Sequence, residues 1–178
     1  MKITKSWLEK QKACIEGVEW FAEKKETDIK KLLNLCEKEN HLEWANWVIT
    51  KLMKRKQRIR YAVYAAQQVL HIFEEKYPED TRPRLAIEAA IKCIDKNTKK
   101  NRDAARAAAW AVARAAARAV ARDAAGAARD AAWDAAGAAA WDAAGDAARA
   151  ARAAAWAAAG AKMMLKILNY GVKLLEEQ

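Results

Sequence analysis

Through the first hundred positions apolar residues recur at three- and four-residue steps, the period of an amphipathic helix. Trp7, Leu8, Cys14, Ile15, Val18 and Phe21 make one such stripe. Thr27 can cap a second helix carrying Ile29, Leu32, Leu33 and Cys36. Asn40 with Glu43 three residues on resembles a capping box opening LEWANWVITKLM, whose apolar positions are Leu42, Trp44, Trp47, Val48 and Leu52. A basic run, KLMKRKQRIR, leads into YAVYAAQQVLHIFEEKYP, a helix expected to end near Pro78. Thr81 caps the next, with Pro83 tolerated in its first turn. That helix turns Leu85, Ile87, Ala90, Ile91 and Ile94 toward a core, and KNTKKN, residues 96–101, is a polar break.

Beyond the break the pattern changes. From Ala104 to Ala161, 36 of 58 residues are Ala. Trp110, Trp133 and Trp156 are 23 residues apart, as are Arg106, Arg129 and Arg152. Gly137 and Gly160 keep the step, as do Asp123 and Asp146, with Asn169 following. These make three 23-residue units, and the last passes at Lys162 into an amphipathic closing segment, KMMLKILNYGVKLLEEQ. In one continuous helix each unit would leave a rotation of about 140°, scattering the Trp residues. Separate packed helices keep them aligned. One helix of about 20 residues per unit, starting near Asp123, Asp146 and Asn169, is preferred. Two short helices breaking near Arg114, Gly137 and Gly160 are the alternative.

Large residues in each unit recur mostly every four positions: Arg106, Trp110, Arg114, Arg118, then Arg129, Trp133, Trp141, then Arg152, Trp156. Four-residue steps keep them on one broad helix side, and the Ala sides are left for close helix contacts. Uncompensated Arg is too costly for a deep core, so the stripe is expected at a partly open surface. Trp beside Arg can stack a flat group while the guanidinium holds an anion. The plainer reading is Arg stacked on Trp with intrahelical ion pairs such as Arg106 with Asp103.

Charge adds a second candidate. The net charge is +10. Residues 1–50 hold 9 basic and 9 acidic side chains, whereas residues 51–100 hold 13 and 6. The excess centres on Lys54, Arg55, Lys56, Arg58 and Arg60, a patch able to contact nucleic-acid phosphates or to form a solvated helix face.

Other chemistry finds little footing. One Ser (Ser6), two His (His41 and His71) and no Gly-rich phosphate loop argue against an enzyme. Asp130 with Asp134, and Asp142 with Asp146, lack a His or Glu ligand nearby, so neither a metal nor a cofactor is expected. Cys14, Cys36 and Cys93 have no metal-ligand spacing and read as reduced core cysteines. No signal peptide or membrane span is legible, so a cytoplasmic location is expected. Scarce turn formers argue against an all-β chain, and 53% hydrophobic content with eight Trp argues against disorder. The expected fold is all-α, one domain over residues 1–178. It is a multi-helix bundle or short α-solenoid in which the Ala-rich region, 98–161, packs on amphipathic helices of 1–97 and 162–178 closes the core.

Residues 42–53 (LEWANWVITKLM) and 55–90 (RKQRIRYAVYAAQQVLHIFEEKYPEDTRPRLAIEAA), followed by the Ala-rich tail, carry a resemblance. The chain resembles the Ala-rich all-helical putative immunity proteins of bacterial polymorphic toxin systems. The resemblance implies a binder that neutralises something, without saying what, and it supplies no catalytic residues. The stripe itself favours a different function. It suggests a sequestering protein of bacterial or phage conflict that binds an anionic, nucleotide-type small molecule. Toxin binding ranks second and nucleic-acid binding third. Exposed Ala sides also permit a homodimer.

Overall fold

The structure, a computed structural model, describes residues 3–116, Trp133, Ala135 and residues 161–177. The described residues form nine helices and are all-α. They are α1 (Lys5–Lys10), α2 (Ile15–Lys24), α3 (Ile29–Lys38), α4 (Leu42–Leu52), α5 (Arg55–Gln67), α6 (Leu70–Lys76), α7 (Arg82–Asp95), α8 (Lys99–Ala116) and α9 (Ala161–Glu176). Among them none is long and apolar enough to cross a membrane.

Local chemistry sets the ends. Thr4 caps α1 by accepting from the Trp7 N–H at 3.2 Å. The stripe expected to run from Trp7 to Phe21 divides because the chain turns at Lys12, whose φ is +61°. Lys12 N–H returns to Glu9 O at 2.9 Å and Ala13 N–H to Leu8 O at 3.0 Å, closing α1 with two crossed backbone bonds. Asp28, one residue past the expected Thr27, caps α3 by accepting from Lys30 and Lys31 N–H at 3.0 and 3.1 Å. Asn40 does not open α4. It takes φ +60° and ends α3, with His41 N–H reaching Cys36 O at 2.7 Å, and His41 becomes the N-cap position of α4. The helix expected to run to Pro78 breaks at Gln68 and Val69, where no Gly or Pro marks it and Val69 is fully buried. Pro83 sits in the first turn of α7 as expected; Thr81 takes the N-cap position without a capping bond, Asp80 Oδ1 accepting from Arg82 N–H at 3.1 Å instead, and Leu85, expected in the core, is 53% exposed. Residues 96–98 separate α7 from α8.

Successive neighbours run α8 on α7, α7 on α5, α5 on α9, α9 on α4 and α3. The closing helix seals this stack. Ile167, Leu168 and Leu174 are fully buried beside Ile49, Ile59 and Tyr61. Gly171 allows the approach, since a Cβ there would lie 2.8 Å from both Ile49 Cγ2 and Tyr61 Cε2. The Gln57 amide donates to Leu174 O, meeting one of the carbonyls α9 leaves unsatisfied at its end. Gln57 Oε1 also accepts from Lys54 N–H at 2.7 Å at the start of α5. Inside the seam the Tyr61 hydroxyl donates to Asn46 Oδ1 at 2.8 Å, and Thr50 donates back to Trp47 O at 2.9 Å.

Candidate functional site

On the other side of α4 the packing is incomplete. A cavity of about 450 Å³ lies between α1–α2 and α3–α4, within the size range of ligand and anchor pockets. Its floor is Phe21, Leu32, Cys36, Ala45 and Val48, all buried. Its walls are Trp20, Trp44 and Trp47, all half-buried. Gly17 leaves the α2 side open: a Cβ there would lie 3.8 Å from Trp44 Cδ2 and 3.1 Å from Cys14 Sγ.

Each indole is held by its neighbours. His41 stacks on Trp44 with ring centres 4.0 Å apart and planes 10° from parallel. Trp20 meets His41 and Trp44 edge-on at 5.5 and 5.8 Å. The Trp20 Nε1–H donates to Glu39 Oε2 at 2.7 Å, and Lys24 Nζ sits 2.8 Å from Glu39 Oε1. The hydrogen bond from Lys24, then that from Trp20, holds the Glu39 carboxyl below the usual carboxylate range. Trp7 packs edge-on to Trp47 at 6.4 Å. Beneath the walls, burial pushes the Cys36 thiol up to about 12. Cys14, expected in a core, is instead exposed at the N-cap of α2 and lines the mouth. Its neighbour Ile15 is 76% exposed. The arrangement offers rigid aromatic anchors around an apolar hollow, the features of a contact that carries binding energy.

The sequence-derived sites fare differently. The basic patch is partly spent inside the fold. Arg60 pairs with Glu177 and Arg58 Nη1 donates to Met53 O at 3.0 Å. Arg55 is half-buried near Cys93, while Lys54 and Lys56 are exposed. Arg106 makes the expected contact with Asp103, at 3.4 Å. α8 runs unbroken through Trp110 and Arg114. Trp133 is helical and half-buried. Arg118, Arg129, Trp141, Arg152 and Trp156 lie outside the described residues.

A second, more polar cleft lies between α3, α5 and α9, where Tyr64 stacks on Tyr170 at 4.0 Å. Its Lys30 is already paired with Glu176 at 2.6 Å.

Periodicity did not single out the cavity, because Trp44 and Trp47 sit on the same stripe as the core residues. The available signal was density: Trp7, Trp20, Trp44 and Trp47 are four of the eight Trp, within the first 47 residues.

Residues 48–140, just over half the chain, match the Imm-5 like putative immunity protein family. The chain belongs to that family. No curated protein and no solved structure matches it. Within this Imm-5 like chain the matched segment holds α5 to α8 and the start of the repeats, and of the cavity residues it includes only Val48.

Proposed function

We propose that this Imm-5 like protein is a non-catalytic immunity protein that neutralises a toxin by binding it, with the Trp-walled cavity as the contact. Family membership carries the reading. The cavity supports it, since half-buried Trp residues fixed by ring contacts, and at Trp20 by a hydrogen bond to Glu39, bind a partner without much ordering cost. The anionic small-molecule reading rests on the Arg/Trp stripe, of which Arg106 is engaged with Asp103.

One experiment weighs both. The tagged chain is expressed in its native host and recovered, and its complexes are weighed by native mass spectrometry with and without added nucleotides. The expected outcome is a stoichiometric protein partner whose activity stops on binding and which is lost from a Trp44→Ala, Trp47→Ala variant. A stoichiometric nucleotide complex without a protein partner would overturn the toxin reading in favour of sequestration.

A further inference from the structure

We propose that the cavity receives a basic side chain of the bound protein, arginine in preference to lysine; this rests on the toxin-binding reading and names the chemistry of its contact. The first ground is the walls. Indole faces attract cations, Trp most strongly, and a flat guanidinium can also stack on them. The protein already uses these rings so: Lys24 Nζ lies 5.8 Å from the Trp20 ring centre and Lys51 Nζ 5.4 Å from that of Trp47.

The second ground is an available carboxylate. Glu43 lines the cavity and is exposed, and no hydrogen bond or ion pair among the described residues engages it. A guanidinium held between the indoles would find there the paired oxygens it binds best. Glu16 and Glu19, exposed on α2 beside Gly17 and Trp20, add negative charge. Lys12 is the lone cation among the described lining residues, while Lys24, paired with Glu39, and Lys51 stand over the Trp20 and Trp47 rings.

The third ground is charge distribution. The chain's excess positive charge would repel a basic partner, but it is concentrated in residues 51–100. All the cavity residues come from positions 8–48, within a stretch of balanced charge. A basic side chain can therefore approach the cavity past Glu43, Glu16 and Glu19 rather than past the basic stretch that follows in the chain.

The test is a titration of the full chain, labelled to show its indole N–H signals by NMR. The probes are Nα-acetyl-arginine methylamide and its neutral isostere, Nα-acetyl-citrulline methylamide. The arginine probe is expected to move the Trp20, Trp44 and Trp47 signals with a dissociation constant on the order of millimolar. Citrulline should bind about fivefold more weakly, and Glu43→Gln should weaken the arginine probe about threefold without altering the remaining spectrum. Equal responses to both probes, shifts confined to other Trp residues, or no shift would each overturn the proposal. The two readings fail separately. Arginine binding in a chain that captures no toxin removes the toxin reading and leaves the cation site. A toxin complex indifferent to Glu43→Gln, with no arginine response, does the reverse.

Discussion

The two sides of α4 are built from one eleven-residue helix and do opposite things. Toward α9, Ile49 is fully buried against a helix that comes close enough to need Gly171. Toward α1–α2, Trp44 and Trp47 stay half-buried around a hollow of about 450 Å³. The difference lies in the residues each side presents. Branched aliphatics against a glycine interdigitate and leave no space. Indoles held by stacked and edge-on rings of their neighbours keep their positions without filling the gap. A small helical protein can thus keep a rigid opening beside its tightest seam.

Core truncations should break the comparison most strongly. Leu168→Ala, at a fully buried site, should cost about 3 kcal/mol in urea unfolding. Trp44→Ala should cost about half as much, because its ring borders open space; equal costs would mean the cavity side is packed as firmly as the seam.

The glycine pair sharpens the contrast in sign. Gly171→Ala should destabilise by about 2 kcal/mol, since two buried side chains must move. Gly17→Ala meets only the Cys14 sulfur closely, and that residue is exposed, so the helix-propensity gain of about 1 kcal/mol should leave it neutral or stabilised. Paired thermal melts decide between these outcomes. Tyr61→Phe should cost about 1 kcal/mol by removing the donor to Asn46 Oδ1 inside the seam.

The thiols give the smallest effect. Cys14 should react with a maleimide far faster than Cys36 or Cys93, both buried. The Cys36 pKa is raised in the folded chain, so its contribution is intact below about pH 9 and is lost as pH rises toward about 12. A Cys36→Ala variant should show a shallower decline in stability over that window.

The caps expected at Thr27, Asn40 and Thr81 do not form as side-chain caps, but most helices were legible because each carries its apolar stripe. Two breaks were not. Lys12 adopts a left-handed backbone that favours glycine, and Gln68–Val69 turns to bury Val69, so neither leaves a compositional mark. The pairing within the basic run was hidden for a related reason: the partner of Arg60, Glu177, lies 117 positions away. The cavity was hidden because period alone puts Trp44 and Trp47 with Val48 and Leu52. Which of them stays half-open depends on how α1–α2 lies across the helix. The repeat stripe, by contrast, was conspicuous in sequence, and at Arg106 it makes the intrahelical contact with Asp103 expected from spacing.

The most direct test compares the two candidate faces in one assay. The captured partner's activity is titrated with the wild-type chain, with Trp44→Ala, and with an Arg129→Ala, Arg152→Ala double variant, all confirmed folded. Loss of neutralisation by at least about tenfold in Trp44→Ala, with the double variant unchanged, is expected if the Trp-walled cavity is the contact. Full neutralisation by Trp44→Ala together with its loss in the double variant would place the contact on the repeat stripe and contradict the account.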